Sequence, residues 1–347
     1  MSEARSLITE SINRIFADAV DRDLLERFEK GEWPAELWRL VEESGFHRVL
    51  SEDAAAPAWT DAEPVLRAIG YYRAPVPLAE TLVGNWLLAL AGLPVEDGPL
   101  SLAQCDGELK LDQSGGDVVL HGTARRAPWA SRAKRLVVAG TLERQTVIGV
   151  LPIEEGKLRI GRGANLALEP RDVLSFESVP LAASASVKGL DATPVLTYGA
   201  LARAAMLAGA IESVLEQALQ YANDRVQFGG PIGKFQVIQH ALAEVGSESA
   251  AAGAAVAAAC ETAGTRHARL DIASAKVRTG GAALVAARVV HQVHGAIGFT
   301  YEHTLQYATR RLWSWRNEFG NDAYWARELG VAAIKRGADR FWSDITG

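Results

Sequence analysis

Alanine crowds the region from Ala200 to Ala287, and this bias constrains the possible folds more than any other feature of the sequence. Alanine has the highest helix propensity, and its small side chain lets neighbouring helix axes approach closely. Helical periodicity runs through this region and beyond it, over Tyr198 to Arg225, Phe235 to Glu261, Leu270 to Gly295 and Leu305 to Gly337. The simplest packing of such a set is a four-helix bundle, which we place at residues 191–347.

Two regions with different residue patterns precede the bundle. Residues 1–98 have helical periodicity, with predicted helices over Ser6 to Phe28, Pro34 to Gly45, Ala62 to Ile69 and Leu78 to Leu90. Residues 99–190 hold short β-branched runs separated by Gly, Asp and Asn, at a spacing that suits antiparallel strands. The predicted fold is therefore α+β and mainly α, with an N-terminal helical domain, a middle small antiparallel β barrel and a C-terminal four-helix bundle.

Composition excludes several classes of protein. With 347 residues, 48% of them hydrophobic, the chain buries enough surface to exclude disorder as its main state. A net charge of -6 argues against a nucleic-acid-binding protein, which usually has a basic stripe. Cys105 and Cys260 lie far apart and predict neither a disulfide framework nor a metal site. Because the N-terminus lacks a signal peptide and the apolar stretches are too short to span a membrane, we expect a cytoplasmic protein with no membrane partner.

The common nucleotide and hydrolase motifs are missing. The run from Gly229 to Lys234 resembles a phosphate loop, but Phe228 stands at its first glycine position and Phe235 at its Ser/Thr position. No G-x-G-x-x-G follows a predicted strand, which argues against a dinucleotide-binding Rossmann domain. The sequence also has neither a G-x-S-x-G turn nor a paired-histidine zinc motif.

Two segments are unlike ordinary connections. Arg225 to Gln239 joins two predicted helices through a Gly-Gly-Pro turn, with one arginine and three glutamines around two phenylalanines. Such an arginine either interacts with a helix C-terminus or binds a pyrophosphate through two hydrogen bonds, and spacing alone favours the first role. Gln292 to Glu302 has two glycines three residues apart, which either end a helix or let backbone amides approach a ligand. A single histidine such as His294 is more often structural than catalytic.

Together these segments resemble the acyl-CoA dehydrogenase family of flavoproteins. The family's R-x-x-F-G-x-x-I-x-x-F-Q-x-x-Q pattern is met from Arg225 to Gln239, and its Q-x-G/H-G-x-x-G-F/Y pattern from Gln292 to Phe299. The predicted domain order also matches, so the resemblance covers nearly the whole chain. It implies FAD-dependent α,β-desaturation of an acyl-CoA thioester, in which a base removes the α-proton and the hydride passes to flavin N5. It also implies an electron-transfer flavoprotein as the type of acceptor.

The resemblance further implies which residues contact FAD. Arg225, Gln227 and Phe228 would hold the pyrophosphate and adenine side of FAD. A second set would approach an FAD bound mainly to a neighbouring subunit: Gln292, His294, Gly295 and Gly298. This sharing implies a tetramer. Trp129 and Ser131 stand where the family has a W-I-T-N-G strand, and they serve either as flavin wall and hydroxyl donor or as barrel packing and a turn serine.

The catalytic base is where the sequence departs from the family. The α-proton is so weakly acidic that the base must be desolvated to raise its pKa. One family position falls near Gly199, in a part of the first bundle helix without acidic residues. At the other position stands Phe319, with Glu318 one residue early. Glu318 is therefore the candidate base, and the alternative is a solvated acid paired with Arg316 or Arg311.

The chain is also shorter than typical members of the family. Short, degenerate members resemble the smaller subunit of mixed tetramers that act on bulky acyl-CoA esters such as degraded sterol side chains. One interpretation is an FAD-dependent acyl-CoA dehydrogenase, as a homotetramer or in a heterotetramer with a second acyl-CoA dehydrogenase-like subunit. The other is a partner subunit without its own base. A flavin monooxygenase or nitroalkane oxidase on the same scaffold, or a purely structural helical protein, are further alternatives.

Overall fold

The computed structural model describes residues 3–54, 58–154, 156, 158–265 and 267–340. Five helices come first, then two sheets, then a helical bundle, so the order of helical, β and helical regions is the one that the sequence predicts. The helices on both sides of the sheets share one hydrophobic core, which also takes in Leu100, Val137 and Ile148 from the β domain. A second, smaller core lies within the β domain itself.

The N-terminal helices are α1 (Glu3–Ala19), α2 (Arg22–Glu29), α3 (Ala35–Ser44), α4 (Trp59–Tyr72) and α5 (Leu78–Leu90), with a 3-10 turn over Phe46–Arg48. The single helix predicted over Ser6 to Phe28 is wrong, because the chain breaks after Ala19. Asp21 accepts a hydrogen bond from the Leu24 amide (2.7 Å) and so caps a new helix. Amphipathic periodicity continued across this break, and it concealed the cap.

The β domain contains β1 (Leu100–Gln104), β2 (Leu109–Ser114), β3 (Asp117–Pro128), β4 (Arg135–Leu142), β5 (Gln145–Pro152), β6 (Arg159–Gly161), β7 (Arg171–Pro180) and β8 (Ala183–Val187). They form two four-stranded sheets, in the orders β1-β4-β5-β8 and β2-β3-β7-β6. The strands pair antiparallel as predicted, except that β1 lies parallel to β4, with Leu100 opposite Arg135. The alternation pattern of a short buried strand does not reveal its direction relative to a partner.

The C-terminal region is helical, with one small hairpin. Its elements are α6 (Pro194–Asp224), β9 (Val226–Gln227), β10 (Gly230–Pro231), a 3-10 turn (Ile232–Lys234), α7 (Gln236–Thr262), α8 (Ala268–His294), a 3-10 turn (Gly295–Phe299), α9 (Leu305–Trp315) and α10 (Asp322–Arg336). Helix α6 packs against α4, α7, α8 and α9. Its first eighteen residues, from Pro194 to Ile211, are almost all buried, as expected of a central helix.

Two helices are long and apolar enough to span a membrane by length and composition, Pro194–Asp224 and Ala268–Phe299. The expectation that every apolar stretch falls short of a membrane span is therefore wrong. In the first helix 94% of the most apolar window is buried inside the protein, and in the second 50%. One or two such helices are weak evidence for a membrane span, because the core helix of a bundle has the same composition.

Candidate functional site

A cavity of about 610 Å³ opens between the β domain and the bundle. The β domain contributes Leu102, Arg126 and Pro128, and the bundle contributes Leu196 near the start of α6. The segment 317–320, between α9 and α10, completes the wall with Glu318 and the Phe319 ring. A cavity of this size and mixed lining is typical of a small-molecule site.

Glu318 lies in this wall, but both oxygens of its carboxylate accept hydrogen bonds from neighbouring side chains. One carboxylate oxygen accepts from Arg171 Nε (2.7 Å) and from Asn165 Nδ2 (3.0 Å). The other accepts from Arg171 Nη2 (2.8 Å) and from Arg203 Nε (2.7 Å). Both arginines are buried, and the Glu318 side chain is only 14% exposed. The partners are therefore neither Arg316 nor Arg311, and this carboxylate is not a solvated acid.

These contacts determine the protonation state of Glu318. Burial on its own raises the pKa of this carboxyl, but the charges and hydrogen bonds of Arg171 and Arg203 outweigh it and lower the pKa to about 2. A base that removes a weakly acidic α-proton needs the opposite shift. The identification of Glu318 as the catalytic base therefore conflicts with its surroundings, in which the carboxylate is an anion shared by two arginines.

Sequence reasoning missed the wider buried network around Glu318. Glu80 on α5 pairs with Arg203. Glu169 pairs with Arg171 (3.0 Å) and lies 3.1 Å from Arg311. A usable signal was present, because Glu80 is the only charged residue of α5 and Arg203 the only one in the first eighteen residues of α6. Isolated opposite charges on two apolar helices predict a buried pair.

The two family positions for the base meet in space. A Cβ atom on Gly199 would overlap the ring of Phe319, so the two residues fit together only because position 199 is a glycine. Phe319 has a left-handed backbone (φ 50°), and the Arg203 guanidinium carbon lies 5.2 Å from its ring centroid. An aromatic ring therefore occupies the place from which either family position would present a carboxylate.

Two further carboxylates line the cavity from the β domain. Glu108 forms an ion pair with Arg125 (2.7 Å). Partial burial raises the pKa of Asp106, an exposed residue after β1. Both come from the β domain, whereas the Gly199 position lies on α6. No sequence motif distinguishes them.

Trp129 and Ser131 lie beside the cavity without being part of its described lining. The Trp129 ring is buried against Phe28 (5.7 Å between centroids) and Trp33 (6.4 Å). The Ser131 amide donates to Asp172 Oδ2 (2.7 Å). These contacts match a packing role for Trp129 and a turn role for Ser131. The sequence had left these roles open, together with contacts to the flavin.

The first sequence motif forms an exposed hairpin at the far end of α6. Arg225 ends the helix, and Gln227 and Phe228 follow on the β9–β10 hairpin. Phe228 is 93% exposed, has a positive φ of 53°, and contacts Phe235 edge to face. An exposed guanidinium, an amide and an aromatic ring at one corner suit a phosphate-bearing aromatic ligand.

The second motif lies at the same end of the bundle. His294 stacks on Tyr221, one turn before Arg225, with ring centroids 4.5 Å apart. Gln292 is exposed, whereas His294 is buried, and burial lowers its pKa to about 4. Gly295 ends α8 with φ 64°. Gly298 packs closely on two histidine side chains, so a Cβ there would be tight against His291 Nδ1 and the His294 Cβ.

The structure thus brings the two motifs together but separates them from the cavity. About 44 Å of helix lie between Leu196 at the cavity and Arg225 at the hairpin. Within the described parts of the chain, no cluster of three metal-ligating side chains was found.

The comparisons with known proteins agree with this architecture. Residues 190–330 match the model of the acyl-CoA dehydrogenase C-terminal domain. The acyl-CoA dehydrogenase IpdE2 of Mycobacterium tuberculosis is 30% identical over 281 residues, which cover 79% of each chain. The chain therefore belongs to the acyl-CoA dehydrogenase family, oxidoreductases that use FAD and act on acyl-CoA. The resemblance carried by the two motifs is confirmed.

Two solved structures share the whole fold. The ChsE4-ChsE5 complex from Mycobacterium tuberculosis has a TM-score of 0.88 at 20% identity, with 97% of this chain and 99% of that chain covered. A variant of the Tcur3481-Tcur3483 steroid acyl-CoA dehydrogenase has a TM-score of 0.86 at 22% identity, with 95% and 97% covered. The first is a complex by name and the second is named for two chains, and at these identities they support the fold alone.

Proposed function

We propose that this chain is the base-free subunit of a mixed acyl-CoA dehydrogenase tetramer that desaturates a bulky, sterol-type acyl-CoA. The observation that carries the proposal is the engagement of Glu318 by Arg171 and Arg203, which makes this acid, the neighbour of the family position at Phe319, a poor acceptor for an α-proton. The contact between Phe319 and Gly199 supports it, because it fills the place of the base.

The chain's other role is to complete a partner's cofactor site. Arg225, Gln227 and Phe228 fit a pyrophosphate and an adenine, and the backbone amides around Gly295 and Gly298 fit ligand oxygens. When bound, FAD supplies the hydride acceptor. Since about 44 Å of helix separates this hairpin from the chain's own cavity, it serves the site of a neighbouring chain.

The mixed assembly and the bulky substrate are supported by the two-chain neighbours, one of which is a steroid acyl-CoA dehydrogenase by name. In this assembly the partner supplies the base. An electron-transfer flavoprotein-type protein takes the electrons, and we place the reaction in the cytoplasm.

The test is co-expression with an acyl-CoA dehydrogenase-like chain from the same genome, followed by measurement of stoichiometry, flavin per chain and turnover. We expect equal numbers of the two chains, and nearly unchanged kcat per assembled tetramer for Glu318→Gln, with Asp106→Asn as the matched variant of the other wall. Circular dichroism and the stoichiometry of the tetramer establish that each variant is folded and assembled, because Glu318 also belongs to a buried ion-pair network. A loss of several orders of magnitude in kcat for either variant in the assembled tetramer would overturn the proposal, because it would place the base in this chain. So would acyl-CoA-dependent dye reduction by this chain alone after addition of FAD.

A further inference from the structure

A lysine is buried in the bundle behind the wall that carries Glu318 and Phe319. Lys276 on α8 is 0% exposed. Its Nζ donates to the carbonyl oxygens of Arg316 (2.7 Å) and Trp315 (3.3 Å). A buried ammonium is costly unless hydrogen bonds or opposite charges compensate for the lost water, so the two carbonyls that bind Lys276 are essential to its burial.

The two carbonyls lie where α9 ends and the segment 316–320 begins. The last carbonyls of a helix have no partner within it, and the partial negative charge of the helix end attracts a cation. Lys276 supplies both a hydrogen-bond donor for these carbonyls and a positive charge at the helix end. The same segment is held at two further points, through the Glu318 carboxylate and through the Phe319 carbonyl, which accepts from Trp325 Nε1 (2.9 Å).

We propose that Lys276 is a positioning residue, which fixes the segment 316–320 against the cavity by binding the carbonyl end of α9. The proposal does not depend on which subunit carries the base, because it concerns the shape of this chain's own cavity wall. It assigns a role to a charged group that no sequence motif includes.

Charged groups from α6, from α10 and from the segment between α9 and α10 act on Lys276. Asp322 at the start of α10 and Glu318 favour its ammonium form, and Arg203 on α6 and Arg316 disfavour it. Arg316 is itself paired with Asp322. Burial is the largest effect and lowers the pKa of Lys276 to about 7. The charge on Lys276 therefore changes near neutral pH, which makes the contact observable.

The experiment uses the full chain labelled with 5-fluorotryptophan and followed by ¹⁹F NMR between pH 5.5 and 9. Trp325 is the reporter because its indole N–H bonds to the Phe319 carbonyl, and Trp325→Phe assigns its resonance. We expect the Trp325 resonance to titrate with a midpoint near 7. Lys276→Met should abolish this titration and shift the resonance.

Thr279→Val is the matched control, since Thr279 is also buried on α8 but bonds only within its own helix. It should leave the titration intact. A Trp325 resonance that does not titrate in the wild type, or that titrates equally in Lys276→Met, would overturn the proposal. If Lys276→Met does not fold, the wild-type titration is paired with ¹³C NMR of lysine side chains. The proposal then requires one lysine with the same midpoint, and its absence refutes the assignment.

Discussion

At Glu318, hydrogen bonds from two arginines and an asparagine decide what a carboxylate in a cavity wall does. The same side chain in an apolar pocket would be a strong base, since desolvation alone raises its pKa. Here the arginines stabilise the ionised form. The role of this residue is therefore set by Arg171 and Arg203, which lie on different elements.

The surroundings of His294 likewise determine the protonation state of its imidazole. Its Nδ1 lies 2.7 Å from the Val290 carbonyl, so Nδ1–H donates and Nε2 carries no proton. Burial lowers its pKa to about 4, against about 6.5 in the unfolded chain. Between these pH values the unfolded chain binds more protons, so the free energy of unfolding falls as the pH falls from about 6.5 to 4, by the order of 3 kcal/mol.

We therefore expect His294→Asn, whose amide keeps a donor for Val290, to flatten the pH dependence of stability in this window. Urea unfolding at several pH values between 7.5 and 4.5 measures it. His240→Asn, at an exposed histidine, is the control and should leave the slope unchanged. Equal slopes for wild type and His294→Asn would contradict the buried neutral imidazole.

At the scale of elements, glycine determines how closely α4 and α6 cross. A Cβ on Gly70 would overlap the Met206 carbonyl, and a Cβ on Gly209 would overlap the Arg67 carbonyl. Each helix thus presents a glycine to the backbone of the other. This crossing joins the N-terminal helices to the bundle, and it explains why helices on both sides of the β domain share one core.

Gly209→Ala should lower the free energy of unfolding by about 1–3 kcal/mol, because the added methyl group forces the two backbones apart. Gly281→Ala, on the exposed face of α8 with open space around it, should instead stabilise the protein by about 0.5–1 kcal/mol. Urea denaturation measures both. An unchanged midpoint for Gly209→Ala would show that the helices separate without cost.

At the scale of the whole molecule, the buried charges join all three regions. Glu80 comes from the N-terminal helices, Glu169 and Arg171 from the β domain, and Arg203, Arg311 and Glu318 from the C-terminal region. Three arginines face three glutamates, so the network is neutral as a whole. Removal of one member leaves an uncompensated charge away from water.

Glu80→Gln should therefore cost about 3–5 kcal/mol of stability, because it takes one carboxylate from Arg203 in the interior. The comparison is Glu177→Gln, which breaks the exposed pair with Arg159 and should cost less than about 1 kcal/mol. Thermal unfolding followed by circular dichroism measures both losses. Similar small effects in the two variants would mean that the buried network does not hold the regions together.

The sequence by itself determined the features that local pattern controls. Helical periodicity and alanine content predicted the bundle, and β-branched runs predicted the middle domain. The spacing of the two motifs predicted the family, because each motif lies within a few turns of chain. The motifs also proved to be neighbours, through the stacking of Tyr221 on His294.

Only the tertiary structure decided the chemistry of the cavity. Arg171 and Arg203 stand 147 and 115 residues from Glu318 in the chain, yet both contact its carboxylate. Gly199 and Phe319 are similarly remote, and their contact closes the place of the base. The pKa of a side chain depends on the charges and water within a few ångströms of it, and periodicity and spacing do not report which distant residues fold into that distance.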